Sequence, residues 1–346
     1  MTAPVGVVGL GRYEPDEVMS AGELAEASGI PEDVIREKFG LVQKHIAGEG
    51  EHVSDMAAAA AEQALSDASE RLGRELTGSD LDGIIYFGST YKDYRVWLSA
   101  PRIQNLLGAD GAWAFELSAT SGGAPFAFRV AADMMAADGG PRTVLIAAAS
   151  RESHLLDYEN DDSRFMFNFG DGAGAAVLLR DHPANTVLSS AFHTDGSFSE
   201  DVMVPAGGSR LPASEETLRN GRHCLDVRDP ADMKERLDPV SVDRFVEVAT
   251  EAARQSADGG EPAIDFLAVL HTKRSLHAAL LDRLGLDRDQ TVYLDHHGHL
   301  SATDPLLALQ EGERSGRLND GDLAVVLSAG TGYTWAATGL RWGETE

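Results

Sequence analysis

The sequence predicts an α/β fold built from two similar halves. Short segments that are apolar at every position, such as Gly83–Phe87 and Thr143–Ala148, alternate with amphipathic helical patterns. Continuously apolar strands lie in sheets that are covered on both faces, which is typical of α/β proteins. The second observation is a repeat, because several motifs of the first half recur about 180 residues later.

The elements of the first half follow one another in a clear order. Val5–Leu10 has the composition of a strand, and Pro31 and Gly40 frame a short helix at its start and its end. Ser54 is expected to cap an alanine-rich helix that runs to about Leu72. Apolar periodicity then predicts strands at Gly83–Phe87, Trp113–Leu117 and Thr143–Ala148, and helices at Ser99–Leu107 and about Gly122–Ala137.

The repeat indicates an internal duplication. Its pairs are Leu81–Thr90 with Ile264–Lys273, Arg142–Ser150 with Asp322–Gly332, and the turn and helix after Leu117 with those that begin at His296. We therefore expect an N-terminal half at residues 1–180 and a C-terminal half at residues 185–346. Within the second half, Gly207–Asp238 is rich in proline and charge and has no clear period. It predicts a long mobile loop, serving as a lid, a partner contact or a substrate wall.

Composition and charge exclude several classes of protein. The 346 residues include 29 Lys and Arg against 56 Asp and Glu, a formal net charge of −27. So acidic a surface repels nucleic acids and anionic lipid, so we expect neither as a partner. The lone Cys224 excludes an internal disulfide and a multi-cysteine metal site. The sequence shows no apolar run of spanning length and no secretory signal at Met1–Gly11, so a cytoplasmic location is expected.

The segment Phe115–Phe126 has the pattern of a nucleophile elbow. A strand ends in a Ser-Ala-Thr-Ser-Gly-Gly turn, and a helix begins at once. A side chain at such a helix N-terminus meets free N–H groups that stabilise developing negative charge, and the glycines give substrate access to the backbone. Ser121 is the candidate nucleophile and Ser118 the reserve. The alternative is that Ser121 only caps the helix.

A second group of candidates lies in the C-terminal half. Leu294–Asp304 contains three histidines, of which His296 and His297 are sequence neighbours that point in different directions, so a metal site is not expected. His299 and Asp304, five residues apart, fit a general base and the carboxylate that orients it, working with Ser121. His271 ends a buried strand and faces either a ligand crevice or the core.

The glycine-rich run Phe169–Leu179 superficially contains a dinucleotide-binding pattern, GxGxxA. It leads into a Val/Leu strand and not into a helix, so we interpret it as a tight turn between packed layers. Nicotinamide binding is not expected.

These pieces together resemble the thiolase superfamily and, within it, the ketoacyl-ACP synthase III group. The motifs that carry the resemblance are GVVGLGRYEP at the N-terminus, DMAAAAAEQAL, the elbow at Ser121, FGDGAGAAVL, HTDGSFSEDVMVPAGGSR, His271, HHGHLSATDPLLAL and GTGYTWAATGLRW. The resemblance implies a five-layered αβαβα fold and a homodimer. It also implies that acyl-CoA or acyl carrier protein is the substrate, with no bound cofactor.

The departures from the group bear on function. Ser121 stands where members of the group generally have a cysteine, and His299 stands where they have an asparagine. His271 is followed by Thr272-Lys273-Arg274 in place of Gln-Ala-Asn. A serine needs an adjacent base, whereas a cysteine thiolate needs little help, so Ser121 and His299 are mutually consistent changes. The chain is similar to a subgroup of antibiotic pathways that transfers acyl groups to sugars or carrier proteins, or primes polyketides through a serine.

The residues implied to bind coenzyme A also differ. Val34 stands where the group commonly has a tryptophan against the adenine, and Lys38 stands where an arginine is usual. Lys38 and Arg274 are the candidate residues for coenzyme A, and an acyl carrier protein is the alternative donor.

The expected function is therefore acyl transfer through Ser121 to a small-molecule hydroxyl or amine, or to a carrier thiol. Two alternatives stay open: a polyketide-priming ketosynthase that condenses an acyl group with malonyl-ACP, and a non-catalytic acyl-binding partner subunit. Hydrolysis follows if water reaches the acyl-serine.

Overall fold

The computed structural model describes residues 3–257 and 263–343. In these residues the strands are β1 Val5–Tyr13, β2 Val18–Ser20, β3 Gln43–His45, β4 Gly83–Tyr86, β5 Trp113–Glu116, β6 Thr143–Arg151, β7 Asp171–Arg180, β8 Thr186–Thr194, β9 Val202–Met203, β10 Asp226–Val227, β11 Phe266–Val269, β12 Leu323–Gly330 and β13 Thr334–Arg341. The α-helices are α1 Ala21–Ser28, α2 Glu32–Val34, α3 Val53–Leu72, α4 Ser99–Leu106, α5 Gly123–Ala136, α6 Glu215–Arg219, α7 Pro230–Ser256, α8 Arg274–Leu284 and α9 Asp304–Arg314.

The main sheet has nine strands in the order β11-β12-β13-β8-β1-β7-β6-β4-β5. The N-terminal half supplies β5, β4, β6, β7 and β1, and the C-terminal half supplies β8, β13, β12 and β11. β4 pairs in parallel with β5 and β6, as β11 does with β12, and the inner strands are antiparallel. Within the sheet, β1 and β8 join the two halves by pairing at one position, Gly6 with Thr186.

A long helix covers the outer face of each half of the sheet, and two further helices lie between the two halves. α3 packs on β1, β6 and β7, while α7 packs on β8, β12 and β13. α5 and α9 each contact strands of both halves, so they form the central layer. The predicted α/β fold of five layers and two duplicated halves is thus confirmed.

The alanines of α3 allow a close approach of helix and sheet. A side-chain carbon on Gly9 or Gly11 of β1 would overlap the carbonyl oxygens of Ala64 and Ala60. Small residues on both elements therefore let the backbones touch, and this buries one face of α3 completely.

The predicted cap of α3 is wrong. Ser54 does not cap α3, which begins at Val53; its buried hydroxyl donates to Oδ2 of Asp93 (2.6 Å), and Asp93 Oδ1 accepts from the Ser54 N–H (3.2 Å). The first turn of the helix thus donates to a carboxylate 39 residues away in the sequence, a partner that the local sequence does not indicate.

Half of the predicted loop at Gly207–Asp238 is helix or strand. It contains α6, the strand β10 and the first nine residues of α7. α7 begins early because Asp229 accepts from the N–H of Asp232 and Pro230 occupies the first turn, a strong start signal. Pro239 lies inside this helix. Whether the remaining loop moves stays a prediction.

None of the helices in the described parts of the chain is long and apolar enough to span a bilayer.

Candidate active site

A tight turn after β5 carries Ser121. Thr120–Gly122 form one turn of 3-10 helix, and α5 begins at Gly123. Thr120 has a φ of +47°, a backbone conformation that residues other than glycine adopt infrequently. Ser121 thus lies at the N-terminal end of a 14-residue helix, where unpaired N–H groups favour negative charge.

The second half supplies a matching turn. Ser301–Thr303 form one turn of 3-10 helix, Ser301 has a φ of +55°, and α9 follows at Asp304. The two turns contact each other because α5 and α9 share the central layer. The duplication therefore brings together side chains that are far apart in sequence.

Ser121, His299 and Asp304 form a continuous hydrogen-bonded series. Ser121 Oγ lies 2.9 Å from His299 Nε2, and His299 Nδ1 lies 2.6 Å from Asp304 Oδ2. A carboxylate accepts, so Nδ1 carries the proton and Nε2 is free to accept from the serine hydroxyl. This is the arrangement of a nucleophile, a base and an orienting acid.

Asp304 is held firmly in place. It is completely buried at the start of α9. Its Oδ1 accepts from the N–H of Leu300 (2.6 Å), and its Oδ2 also accepts from the N–H of His271 (2.7 Å). These donors stabilise the charge of the carboxylate and fix its orientation toward His299.

The surroundings of His299 favour its protonated form. Burial by itself lowers the pKa of this imidazole, but the charge and hydrogen bond of Asp304, with the charge of Glu152, outweigh it and raise the pKa above its usual value. His299 is therefore a stronger base than an ordinary histidine.

Glu152 is a site residue that the sequence reasoning missed. Its partly buried carboxyl lies near His299 and is hydrogen-bonded by Ser89 and Ser301, and desolvation is the main cause that raises its pKa. Ser301 Oγ lies 3.4 Å from Glu152 Oε1 and 3.5 Å from Ser121 Oγ. The signal available was its place directly after β6, at the carboxyl end of a buried strand.

Both ring nitrogens of His271 have hydrogen-bond partners. Asn168 Nδ2 donates to its Nδ1 (3.0 Å), so its Nε2–H donates to the carbonyl oxygen of Gly40 (3.2 Å). Burial is the main cause that lowers the pKa of His271 to about 4, which keeps the ring neutral. The hydrogen-bond partners of Ser121 Oγ are His299 and Ser301. The backbone N–H of His271 donates to Oδ2 of Asp304, and a catalytic role of its ring stays a prediction.

Lys44 supports the segment against which His299 packs. The side chain is completely buried, and its ammonium group donates to the carbonyl oxygens of Phe167 and Phe169, both at 2.7 Å. Between them, the carbonyl oxygen of Asn168 accepts from the N–H of His299 (2.9 Å). Burial lowers the pKa of Lys44 to about 7. Sequence alone gave no reason to single out this lysine.

Lys38 and Arg274 lie in the same surface region. Lys38 is exposed on the π-helical turn Ile35–Phe39, and Arg274 begins α8, which contacts that turn. The Arg274 guanidinium donates to the carbonyl oxygen of Arg36 (3.2 Å) and pairs with Asp295 (2.9 Å). The structure thus groups the two candidate coenzyme A residues.

A cavity of about 380 Å³ lies next to the elbow. Its lining combines apolar side chains with hydroxyl groups, from Leu117, Ser118, Ala119, Thr120, Phe126, Val130, Thr194, Thr331 and Thr334. Ser118, the reserve nucleophile, lines this cavity and is not part of the Ser121–His299–Asp304 series.

The chain matches two family models. Residues 115–196 match "3-Oxoacyl-[acyl-carrier-protein (ACP)] synthase III", and residues 255–342 match its C-terminal model. The β-ketoacyl-[acyl-carrier-protein] synthase III of Symbiobacterium thermophilum is 32% identical over 98% of both chains. The enzyme of the same name from Xylella fastidiosa is 32% identical over 97% of this chain and 98% of its own.

Solved structures of similarly named enzymes have the same fold as this chain. The 3-oxoacyl-[acyl-carrier-protein] synthase III of Aquifex aeolicus superposes with a TM-score of 0.81 at 26% identity, covering 98% of this chain and all of that chain. The priming β-ketosynthase of the R1128 polyketide pathway superposes with a TM-score of 0.82 at 25% identity, covering 99% and 98%. The fold and the elbow define a thiolase-like transferase of the condensing-enzyme class. The chain belongs to the 3-oxoacyl-ACP synthase III family.

Proposed function

We propose that this protein is a serine acyltransferase of secondary metabolism, which takes a short acyl group from acyl-CoA or acyl-ACP. The observation that carries the proposal is the series Ser121–His299–Asp304, with its contacts of 2.9 and 2.6 Å. Within a family that generally places a cysteine at the elbow, a serine needs the base that His299 provides.

Acylation begins when His299 Nε2 takes the proton of Ser121 Oγ. The Oγ attacks the thioester carbonyl carbon, and Asp304 stabilises the imidazolium that results. The tetrahedral intermediate then collapses, the C–S bond breaks, and His299 returns the proton to the leaving thiol. The product is an acyl ester on Ser121.

Transfer repeats these steps with an acceptor. His299 removes a proton from a hydroxyl, amine or thiol, whose heteroatom attacks the acyl-serine. The C–O bond to Ser121 breaks, and the proton returns to its Oγ. Transfer from an oxygen ester to an alcohol is near thermoneutral and to an amine is downhill, so the acyl-serine suits these acceptors.

The N–H of Ser121 is the proposed oxyanion donor. The N–H groups of Gly122 and Gly123 are used inside the elbow, where they donate to Ala119 and Thr120. The N–H of Ser121 belongs to the nucleophilic residue itself and lies two residues before the start of α5. It is therefore close to the reacting carbonyl and lies at the positive end of the helix dipole.

Lys38 and Arg274 are proposed to bind the phosphates of coenzyme A or the phosphopantetheine of a carrier protein. Both are exposed cationic side chains on adjoining elements of a strongly acidic protein. Opposite charge then attracts the donor to this region despite the net charge of −27. We further propose a homodimer, as the resemblance implies.

A second candidate is the priming ketosynthase, which condenses the acyl group with malonyl-ACP. The R1128 priming ketosynthase, at 25% identity, favours it. The ring of His271 argues against it, because the group generally uses this histidine with an asparagine to stabilise the enolate. Here the two ring nitrogens of His271 are hydrogen-bonded to Asn168 and Gly40, and His299 stands in place of the asparagine.

Intact-mass spectrometry after incubation with a panel of short acyl-CoAs and acyl-ACPs tests the proposal. An adduct should form on the wild type and on Ser118→Ala but not on Ser121→Ala. Adding malonyl-ACP and candidate acceptors then separates the two candidates, since only condensation releases carbon dioxide. Failure of every donor to label Ser121 would refute the serine mechanism and leave a non-catalytic acyl-binding subunit as the better account.

A further inference from the structure

We infer that Glu14, His45 and His297 form a binding site for one divalent transition metal ion, with Zn²⁺ as the expected ion. Glu14 directly follows β1, His45 ends β3, and His297 lies in the turn before His299. One ligand atom from each comes within 4.8 Å of the others, and all three side chains are partly buried. Within residues 3–257 and 263–343 this is the one group of three potential ligands so close together.

The backbone orients His45 as a ligand. Its Nδ1 lies 2.7 Å from the carbonyl oxygen of Pro15, which only accepts, so Nδ1 carries the proton. The Nε2 lone pair of the neutral ring then faces Glu14 Oε1 at 3.5 Å. Metal-binding histidines commonly donate their second N–H to a backbone carbonyl in this way. Two ligands on a tetrahedral Zn²⁺ with bonds of about 2.0–2.1 Å are separated by about 3.4 Å, close to the 3.5 Å between His45 Nε2 and Glu14 Oε1. The contact of Glu14 Oε1 with His297 is shorter than this, so the His297 ring would move outward when an ion binds.

The two oxygens of Glu14 have different surroundings. Oε2 faces the Nε of Arg12 at 3.4 Å, whereas Oε1 faces His45 and is in close contact with Nδ1 of His297. Arg12 is itself paired with Glu311, so its charge is shared between two carboxylates. Oε1 is therefore the oxygen that a metal ion would use, together with Nε2 of His45. Nδ1 of His297 donates to Oε1 in this structure, so metal binding would displace that proton and turn the freed lone pair toward the ion.

The ligand types select the class of metal. Two imidazoles and one carboxylate suit Zn²⁺ and neighbouring first-row ions, whereas Mg²⁺ and Ca²⁺ prefer oxygen ligands. Three protein ligands leave a fourth tetrahedral position for water. The ion would join the His297 turn to β1 and β3, and its role would be to brace this turn. Binding at this site does not depend on the proposed acyl transfer.

The test uses the tag-free full chain, stripped with EDTA and titrated with Zn²⁺ against a chromophoric chelator. We expect one equivalent of Zn²⁺ to bind the wild type. Glu14→Gln and His297→Asn should each weaken binding by at least about tenfold, since even outer-shell changes cost that much. The matched control is His296→Asn, which alters the adjacent exposed imidazole and should bind as the wild type does.

Thermal unfolding supplies a second readout for any ligand variant that folds poorly. Zn²⁺ should raise the melting temperature of the wild type and of His296→Asn, because it binds the folded state. Zn²⁺ should not change the melting temperature of Glu14→Gln, His297→Asn or His45→Asn. Mg²⁺ should not change the melting temperature of the wild type. Lack of Zn²⁺ binding by the wild type, or equal affinity in wild type and ligand variants, would overturn the inference.

Discussion

The Nδ1 atom of His299 lies 2.6 Å from Oδ2 of Asp304, and both side chains are buried. The same Oδ2 accepts from the backbone N–H of His271, so one carboxylate connects the two histidine segments of the C-terminal half. The imidazole is thereby fixed in one tautomer, with Nε2 directed at Ser121.

Replacing Asp304 with asparagine should lower the rate of Ser121 acylation by about 10³–10⁴-fold, because the amide no longer selects the tautomer that leaves Nε2 free. The rate is measured by quenched-time intact-mass spectrometry. Asp282→Asn, an exposed change on α8, is the control and should acylate normally. A rate for Asp304→Asn within tenfold of the wild type would contradict the role of Asp304.

The pH dependence of acylation should report the raised pKa of His299. Only the neutral imidazole accepts the serine proton, so the rate rises with pH through the pKa of His299. Since that pKa is held above its ordinary value of 6.5, the midpoint of the rise in acylation rate should lie above pH 6.5. Glu152→Gln removes one of the charges that raise the pKa of His299, so the midpoint for this variant should shift to lower pH. An unshifted midpoint would show that the Glu152 charge does not act on His299.

Lys44→Met should change the pH dependence of stability. The folded protein holds the pKa of Lys44 at about 7, below its ordinary value of 10.5, so between these values the unfolded chain binds more protons. The free energy of unfolding of the wild type should therefore rise relative to the variant between pH 7 and 9, with a slope of up to about 1.4 kcal/mol per pH unit.

Urea unfolding at several pH values measures this difference. At any one pH the variant also leaves the carbonyl oxygens of Phe167 and Phe169 without a donor, a cost of about 1–3 kcal/mol each. Parallel stability curves for the two proteins would contradict the depressed pKa.

Gly330→Ala should disturb the elbow. A side-chain carbon at this end of β12 would overlap the carbonyl oxygen of Ala119 and lie 2.8 Å from the N atom of Gly122. A displacement of Ser121 by about 1 Å should slow acylation by about 100-fold. Gly111→Ala is the matched control, because a carbon there meets no atom within 4 Å. Normal acylation by folded Gly330→Ala would show that the elbow tolerates the contact.

Arg274→Gln and Lys38→Gln should raise the KM for acyl-CoA and leave kcat nearly unchanged, since these residues are proposed to bind the part of the donor that does not react. Steady-state kinetics with acyl-CoA measure the two constants. Arg283→Gln, at the other end of α8, removes a similar exposed charge and serves as the control. A fall in kcat without a change in KM would place the two residues in the chemistry and not in binding.

Much of the fold and part of the site could be predicted from the sequence because their signals are local or repeated. The apolar strands, the glycine-rich elbow and the repeat with an offset of about 180 residues can all be read directly from the sequence. The spacing of five between His299 and Asp304 is likewise local, since a turn followed by a helix start brings the two together.

Other features depend on residues distant in sequence, which no local pattern contains. The hydroxyl of Ser54 is taken by Asp93, 39 residues away, so the predicted cap fails. The ring of His271 is held by Asn168 and Gly40, which lie 103 and 231 residues from it. Local propensity predicts an element or a candidate, but it does not identify the hydrogen-bond partner.

The sequence by itself determined the duplicated α/β plan and the candidates Ser121, His299 and Asp304. Only the tertiary structure decided that Ser121 and His299, 178 residues apart, come within 2.9 Å of each other. It also decided that the partly buried Glu152 and the buried Lys44 lie beside this series and that Glu14, His45 and His297 converge. The physical reason is that two packed half-sheets share one central helix layer, and burial in that layer sets both the distances and the charge states.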